Sequence, residues 1–237
     1  MMSFENTIST KEALLGLLDT LLEERGSSWW TEFYIKPDKK CPFFTTNPNE
    51  DLVKMVQTGF VKPPMRVLEI GCGNGRNANY LAGLGFIVDG VDFSSSSLAI
   101  AEENAKKLNS SAKFFCQSIF EFEYLKNSYD LIYDCGCLHH IPPHRRPDFL
   151  ALINNALKPE GVFGLVCFAP GGGSDYSDIE VYEKRSMGGG LSFTEASINE
   201  LFSERYYEIA VRRMKELSED CGLFGKEFLW AIKMKKK

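Results

Sequence analysis

The order of apolar and polar residues between positions 64 and 168 predicts strands that alternate with helices. Short apolar runs, typical of buried strands, are separated by stretches in which apolar residues recur every three or four positions, as on one face of a helix. This alternation predicts parallel strands joined by crossover helices. The predicted strands are 66–70, 85–92, 112–116, 129–141 and 162–168, and the predicted helices between them are 76–84, 94–108 and 144–157.

Beyond residue 168 the pattern predicts the edge of the sheet. A helix is expected at 194–202, followed by strands at 206–214 and 227–234. Two strands after the last helix suggest a hairpin in which the last strand runs antiparallel. We therefore predict an α/β fold, a three-layer sandwich with a mostly parallel seven-stranded sheet and an antiparallel last strand.

The first 62 residues are predicted to form an N-terminal arm that precedes a domain at 63–237. A leucine-rich amphipathic helix is expected at 10–25 and a short helix at 49–60. Residues 29–48 combine aromatic rings with prolines and asparagines, which favours an ordered but irregular segment. This segment either packs over one edge of the sheet or forms a lid that walls a ligand cavity. Its candidate substrate-side residues are Trp30, Tyr34 and Phe44.

Composition and charge disfavour several classes of function. The chain has 237 residues and a net charge of −5 without a basic stripe, so nucleic-acid binding is not expected. No apolar run is long enough to cross a membrane, and the N-terminus does not read as a signal peptide. Seven cysteines, an odd number, fit a reducing cytoplasm better than a disulfide framework. We expect a cytoplasmic monomer or homodimer without a nucleic-acid or membrane partner.

A glycine-rich turn links the first of these strands to its helix. Residues 69–76 read Glu-Ile-Gly-Cys-Gly-Asn-Gly-Arg. Glycines permit positive φ angles there and let a ligand approach the backbone, which a Cβ atom would block. The next strand ends in Asp92, at the distance at which an acid accepts hydrogen bonds from ribose hydroxyls. A strand, a glycine turn and a helix in this order form the first unit of a Rossmann-like, nucleoside-binding sheet.

The spacing of these glycines narrows the choice of nucleoside. A dinucleotide site reads G-x-G-x-x-G, whereas this chain reads G-x-G-x-G with Arg76 in the place of the third glycine. The larger residue crowds the helix N-terminus where a pyrophosphate would bind. Glu69 at the strand end suits a cationic ligand better than a doubly anionic one. A nicotinamide-dependent dehydrogenase is therefore a disfavoured alternative.

The motif acid-x-G-x-G-x-G, with an acid ending the next strand, resembles that of the class I S-adenosylmethionine-dependent methyltransferases. The resemblance covers about residues 64–168 and implies S-adenosylmethionine as the cofactor, with the glycine loop on its methionine part and Asp92 on its ribose. Ser118 stands where the family usually has an acid for the adenine amino group. The implied cofactor contacts are Glu69, Gly71, Cys72, Gly73, Asn74, Gly75, Asp92, Phe93, Ser118, Ile119, Cys135 and Leu138.

The fourth strand runs into Cys135-Gly136-Cys137-Leu138-His139-His140, which should border the reactive methyl group. His139 or His140 is a candidate base for the methyl acceptor, although single histidines are more often structural. No metal is expected, because ligands so close in sequence cannot all converge on one ion. The Asn-Pro-Pro-Tyr or Asp-Pro-Pro-Tyr of enzymes that methylate amino groups of nucleobases and glutamine is absent here. The run is instead similar to those of small-molecule methyltransferases.

Two triple-glycine clusters bracket a long segment at 170–190, after the fifth strand. Long irregular loops at this edge of a sheet are usually functional, and glycines at both ends can act as hinges. We interpret the segment as a substrate-side loop with Tyr176 as a candidate contact. The alternative is a mobile surface insertion.

A narrower resemblance, carried by residues 29–94, is to the thiopurine and tellurite-resistance type of small-molecule methyltransferases. It implies a thiol, chalcogen or similar acceptor that is methylated by in-line displacement, a reaction in which the enzyme mainly aligns the reactants in a dry cavity. The alternatives are a protein or RNA methyltransferase and a non-catalytic S-adenosylmethionine-binding protein.

Overall fold

The computed structural model describes residues 7–22, 26–35 and 42–237. In these ranges the chain forms one sheet flanked by helices. The helices are α1 (Lys11–Leu21), α2 (Ser27–Ile35), α3 (Glu50–Gln57), α4 (Arg76–Gly83), α5 (Ser95–Leu108), α6 (Arg146–Ala156), α7 (Asp178–Lys184) and α8 (Glu195–Phe202). The strands are β1 (Arg66–Ile70), β2 (Ile87–Asp92), β3 (Lys113–Cys116), β4 (Tyr129–Cys135), β5 (Leu157–Phe168), β6 (Tyr206–Arg213) and β7 (Leu229–Lys236).

The sheet has the strand order β3-β2-β1-β4-β5-β7-β6 within the described ranges. Strands β1 to β5 run parallel to one another, and β7 lies antiparallel between β5 and β6. The chain reverses its direction of sheet growth between β1 and β4, and in such sheets ligands bind beyond the carboxyl ends of the strands at this point. The predicted Rossmann-like fold with an antiparallel last strand is confirmed.

Adjacent residues of each strand supply opposite faces of the sheet, as the two-residue repeat of a strand requires. Leu68 and Ile132 belong to one apolar core, which α6 and α8 complete. Val67 and Leu131 belong to a second core, which α3 and α4 complete. All four side chains are fully buried. Helices thus cover both faces of the sheet.

Two segments that we predicted to be irregular contain helices. Helix α2 occupies part of the aromatic segment at 29–48, because Pro42 and Pro48 lie beyond the helix end at Ile35. Helix α7 lies inside the segment at 170–190, where Ser177 and Glu180 form a reciprocal capping box at its start. The prediction of irregular structure is wrong for these parts of both segments.

Strand β5 begins earlier than predicted. Residues 158–161, which separate the predicted helix at 144–157 from the predicted strand at 162–168, lie inside the strand, where Glu160 has a φ angle of 61°. Pairing with β4 shifts its register between Tyr129 and Leu131 at the same place. Residues 158–161 therefore form a bulged part of β5 and not a turn before it.

The N-terminal helices pack onto the sheet. Helix α1 begins after Thr10, whose hydroxyl accepts a hydrogen bond from the Ala13 N–H, and its predicted end at residues 23–25 lies outside the described residues. Helix α3 shares the core of β1 through the fully buried Leu52. The division into an arm at 1–62 and a domain at 63–237 stays a prediction. In the described ranges, no helix combines the length and the apolar character that crossing a membrane requires.

Candidate functional site

A cavity of about 530 Å³ lies at the carboxyl ends of β1, β2, β4 and β5. Small-molecule sites in proteins typically have volumes of about 300–1,000 Å³. The loops that follow these strands form its inner walls, and α2 covers it with aromatic side chains. Among the described residues, the lining contains three charged side chains other than histidine, namely Glu69, Arg76 and Asp92.

The loop after β1 has the backbone conformations for which its glycines were predicted. Gly71 and Gly73 have φ angles of 62° and 53°, in the left-handed region that disfavours other residues. Both residues line the cavity, together with Cys72 and Asn74. A Cβ atom on Gly73 would lie 2.6 Å from the Tyr34 hydroxyl oxygen. The close contact between this loop and α2 therefore depends on glycine.

Gly75, a predicted cofactor contact, lies behind the cavity wall. Its φ angle is 73°, and a Cβ atom there would lie 2.8 Å from Ala101 Cβ and 2.9 Å from Phe114 Cζ. Gly75 thus allows α4 to approach α5 and β3. Leu138, another predicted contact, is fully buried and does not line the cavity either. We infer that both positions support the site through packing.

Glu69 ends at the cavity wall with one oxygen unsatisfied. Oε1 accepts a hydrogen bond of 3.0 Å from the Asn77 amide, whereas the buried Oε2 has no partner within the part of the chain that the structure describes. Burial raises the pKa of Glu69 to about 7. The hydrogen bond from Asn77 lowers this pKa but does not outweigh burial. A buried oxygen without a donor destabilises the protein until a donor binds. Glu69 is therefore prepared to accept a hydrogen bond from a cationic or N–H group.

Asp92 joins the tip of β2 to the glycine loop. Its Oδ2 accepts a hydrogen bond from the Gly73 N–H and its Oδ1 one from the Ser94 N–H, both at 2.9 Å. Burial raises the pKa of Asp92, and the bonds from Ser94 and Gly73 oppose that rise. A carboxylate has about four lone-pair sites, so these bonds leave room for further donors. Asp92 can therefore accept hydrogen bonds from ligand hydroxyls in the cavity.

Phe93, Ser118 and Ile119 line the cavity where β2 and β3 end. Phe93 is 40% exposed and lies at the cavity mouth. The Ser118 hydroxyl accepts a hydrogen bond of 3.3 Å from the Phe120 N–H. Two apolar side chains and one hydroxyl at this end suit a flat, weakly polar group such as a nucleobase.

Arg76 and Asn49 form a polar support under the cavity that the sequence analysis did not identify in this role. The Arg76 guanidinium donates to Asn49 Oδ1 at 2.8 Å and to the Phe43 carbonyl oxygen at 3.2 Å. Asn49 is fully buried and donates to the Tyr133 hydroxyl at 2.8 Å and to the Cys135 sulfur at 2.9 Å. No local pattern marks Asn49, because all of these partners are distant in sequence. The cavity wall at Cys135 is therefore fixed from below.

Asp134 shapes the turn that carries the two histidines. Its Oδ1 accepts a hydrogen bond of 2.7 Å from the Cys137 N–H, and its Oδ2 accepts one of 2.9 Å from the Leu138 N–H. Burial raises the pKa of Asp134 to about 7, although these bonds act in the opposite direction. The backbone then forms a single 3₁₀ turn at Leu138–His140. This turn places both histidines against the cavity.

His139 and His140 both line the cavity but differ in their surroundings. His139 Nδ1 accepts a hydrogen bond of 3.2 Å from the Phe168 N–H, and its ring stacks on that of Phe168 at 3.9 Å. This contact assigns the proton of a neutral His139 to Nε2. The His140 ring meets the Trp30 ring edge-on at 4.8 Å. Of the two candidate bases, His140 thus lies against the aromatic cover, and His139 is held by the backbone of β5.

Two of the predicted substrate-side residues, Trp30 and Tyr34, line the cavity. The other two lie behind its walls. Phe44 stacks on Phe33 with ring centroids 5.1 Å apart, and Tyr176 lies under the ammonium group of Lys184 at 5.1 Å.

Phe168 and Met187 are among the lining residues that the sequence analysis did not propose as contacts. Phe168 ends β5, so its place at the carboxyl edge of the sheet was a signal that could have identified it. Met187 lies in the segment at 170–190, which agrees with the prediction that this segment borders the cavity.

These groups fit S-adenosylmethionine, which carries an ammonium and a sulfonium group, a ribose and a flat base. The unsatisfied Glu69 oxygen suits the ammonium group, Asp92 suits the ribose hydroxyls, and the walls at Phe93 and Ile119 suit the base. In the described ranges, no cluster of three or more His, Cys, Asp and Glu side chains is placed to hold a metal ion.

Residues 67–161 match the family model described as a methyltransferase domain. This part of the chain is therefore a methyltransferase domain. The matched region contains the glycine loop, Asp92 and both histidines. At the level of this domain, the predicted family, enzyme class and cofactor are confirmed.

A methyltransferase of known sequence resembles part of this chain. Phosphoethanolamine N-methyltransferase 2 of Caenorhabditis elegans is 30% identical over 136 residues, which are 56% of this chain and 31% of that protein. The chain thus spans about a third of the length of this relative. The match therefore leaves most of the larger protein uncovered.

Two solved structures show the same fold at low identity. The structure reported for the conversion of a disulfide bond into a thioacetal group during echinomycin biosynthesis has a TM-score of 0.70 at 19% identity, and it covers 89% of this chain and 91% of its own. TehB from Haemophilus influenzae has a TM-score of 0.58 at 18% identity, with coverages of 89% and 67%. The shared fold thus extends well beyond the region of the family match.

Proposed function

We propose that this chain is an S-adenosylmethionine-dependent methyltransferase that methylates an uncharged small molecule at a thiol or related chalcogen atom. The observation that carries the proposal is the unsatisfied Glu69 oxygen beside Asp92, in a cavity whose other end is walled by aromatic rings. The first end has the groups that the cofactor needs. The second end has room and apolar walls for an acceptor.

The acceptor end favours a molecule without an anionic group. Its walls include Trp30, His140 and Phe168. Arg76 is the one lysine or arginine in the described lining, and its guanidinium is engaged by Asn49 and Phe43. A phosphate or carboxylate on the acceptor would lose its hydration without gaining a cation in exchange. We therefore do not carry over the phosphoethanolamine in the name of the curated relative.

The name of one solved structure also supports a sulfur acceptor, because that structure concerns the conversion of a disulfide into a thioacetal. The cofactor supplies a methyl group on a sulfonium, which is a good leaving group. The protein then has to hold the nucleophile in line and exclude water, which the aromatic walls can do. A thiol must also lose its proton, and a ring nitrogen of His140 is our candidate to accept it. Direct proton acceptance by His139 Nδ1 is disfavoured because it already accepts the Phe168 N–H.

Titration calorimetry with S-adenosylhomocysteine tests the cofactor half of the proposal. We expect micromolar-range binding by the wild-type chain and a loss of about 100-fold in Asp92→Asn, since each hydrogen bond to a charged group contributes about 1.5–3 kcal/mol. Asp89→Asn is the matched control, because Asp89 lies on the same strand and bonds to Arg66 and Tyr129 outside the cavity. Equal affinity in all three proteins would contradict the proposal.

A matched pair of acceptors tests the other half. Benzyl mercaptan and 4-(mercaptomethyl)benzoate share a ring and a thiol, and only the second carries a carboxylate. We expect release of S-adenosylhomocysteine with the first acceptor at least about tenfold faster than with the second, because the second must bury an unpaired charge. Cofactor binding without turnover of any small thiol would favour a non-catalytic binding protein, and turnover of a protein or RNA alone would favour the macromolecular alternative.

We also retain the charge-based proposals on partners and location. The net charge of −5 supports the lack of a nucleic-acid partner, and the odd number of cysteines supports a cytoplasmic location. A monomer or homodimer stays a proposal.

A further inference from the structure

Two segments outside the sheet border the cavity. They are the N-terminal helix α1 and the segment at 170–190, which contains α7. Both segments are fastened to residues just after the histidine turn. The contact is made by three side chains, Asp19 of α1, His144 of the loop before α6 and Tyr182 of α7. We call this group the Asp19–His144–Tyr182 bridge.

The hydrogen bonds of the bridge run in one direction. The Tyr182 hydroxyl accepts the backbone N–H of His144 at 3.0 Å and lies 2.8 Å from His144 Nδ1, to which it donates. The proton of the imidazole is then on Nε2, which donates to Asp19 Oδ1 at 2.8 Å. Arg145 donates to both oxygens of the same carboxylate. Every polar atom of the His144 ring is satisfied in this arrangement.

Burial makes His144 dependent on both of its partners. Its side chain is 5% exposed, whereas that of Asp19 is 40% exposed. If either partner is removed, a ring nitrogen of His144 remains buried without a hydrogen bond, which destabilises the contact. Because one imidazole bonds to both helices, weakening its bond to α1 also changes the ring that α7 contacts. The two helices are thus coupled through a single side chain.

The bridge lies close in sequence to three parts of the cavity wall. Each bridge residue is followed or preceded within a few positions by a residue that lines the cavity. Leu22 follows Asp19 by about one helical turn, Pro142 shortly precedes His144, and Met187 follows Tyr182 just after α7. The bridge therefore fixes the spacing of three wall elements without contacting the cavity itself.

We propose that Asp19, His144 and Tyr182 are positioning residues that set the shape of the acceptor end of the cavity. This inference rests on the proposed function, because it assigns the affected walls to the methyl acceptor. Glu69 and Asp92, the proposed cofactor contacts, lie on β1 and β2 and bond to Asn77, Gly73 and Ser94, none of which belongs to the bridge. Loss of the bridge therefore changes acceptor binding and leaves cofactor binding intact.

Hydrogen–deuterium exchange and steady-state kinetics on the full chain test this inference. In Asp19→Ala we expect exchange to rise about tenfold in residues 11–22 and also in residues 178–187, since losing a buried hydrogen bond shifts an opening equilibrium by roughly this factor. The KM for benzyl mercaptan rises by a similar factor, while the affinity for S-adenosylhomocysteine changes less than twofold. Asp19→Asn keeps an acceptor oxygen for His144, so we expect both the exchange rates and the KM to stay close to those of the wild type.

Lys11→Ala is the matched control, because it removes an ion pair of α1 that lies outside the bridge, that between Lys11 and Asp148. Tyr182→Phe is expected to raise exchange in residues 11–22 from the α7 side. Unchanged exchange in residues 178–187 of Asp19→Ala, or a parallel loss of cofactor affinity, would overturn the inference. A wild-type chain that fails to bind S-adenosylhomocysteine would defeat the proposed function instead, and the exchange data would still decide whether the bridge couples the two helices.

Discussion

The two ends of the cavity are built in different ways. The cofactor end comes mainly from two short pieces of chain, the glycine loop that begins at Glu69 and the tip of β2 at Asp92, which adjacent parallel strands bring together. The acceptor end combines Trp30 with the distant His140 and Phe168. The first end follows from local sequence and strand order. The second depends on packing between distant parts of the chain, so the two ends should respond separately to mutation.

The variant Gly73→Ala is expected to give the largest difference between the two ends of the cavity. Its φ angle is 53°, and the added Cβ atom would meet the Tyr34 hydroxyl at 2.6 Å, on the surface where the cofactor must pack. Overpacking of this kind costs about 1–3 kcal/mol, or roughly five- to 150-fold in the dissociation constant of S-adenosylhomocysteine. Gly83→Ala is the control, because no atom lies within 4 Å of a Cβ at that helical position. Equal calorimetric affinities in the two variants would show that the loop does not contact the cofactor.

A smaller effect is expected from pH at the cofactor end. The pKa of Glu69 is raised by burial from 4.5 to about 7. If the ionised carboxylate receives the cofactor ammonium group, affinity for S-adenosylhomocysteine should rise about tenfold between pH 6 and pH 8. Calorimetry across this range checks it, and Glu69→Gln should bind weakly with little pH dependence.

The same shift fixes the sign of a stability effect in the protein without ligand. A carboxyl group with a raised pKa stabilises the fold fully below its unfolded value of 4.5, and this contribution is lost as pH rises through about 7. Glu69→Gln should therefore lose less stability than the wild type over that interval in denaturant titrations. Parallel curves for the two proteins would mean that Glu69 titrates normally.

The smallest effect is expected at the acceptor end, from Trp30→Leu. Its ring meets that of His140 edge-on, and such aromatic pairs contribute about 0.5–1.5 kcal/mol, or roughly two- to tenfold in the KM of benzyl mercaptan. Cofactor affinity should not change. Phe44→Leu is the control from the same aromatic cluster, because Phe44 stacks on Phe33 behind the wall. A loss of cofactor affinity in Trp30→Leu would contradict the proposal that Trp30 belongs to the acceptor end alone.

The sequence predicted the turn at Gly71 and Gly73 and the place of Asp92 at the strand end for a physical reason. Positive φ angles at Gly71 and Gly73 require glycine, and the carboxyl end of a strand needs an acid such as Asp92 to hold a ribose. Such demands act on one residue or on close neighbours, so they leave a pattern in the sequence. The positions of the strands along the chain followed from the alternation of apolar runs and helical patterns.

The missed elements fall into two kinds. Helix α7 had a readable signal, since Ser177 and Glu180 have the spacing of a capping box, but the flanking glycines drew the interpretation toward an irregular loop. Asn49 and His144 had none. Their partners stand 84 residues away at Tyr133 and 125 residues away at Asp19. A polar residue in a long-range contact looks in sequence like any exposed one.

That separation of 125 residues also affects the order of assembly. A ribosome releases α1 before the strands of the sheet, yet the imidazole that anchors α1 emerges 125 residues after Asp19, and Tyr182 later still. The strands at the centre of the sheet can meet before either partner is available. The cover of the active-site end is thus synthesised early and docked late, on a scaffold that does not need it to form.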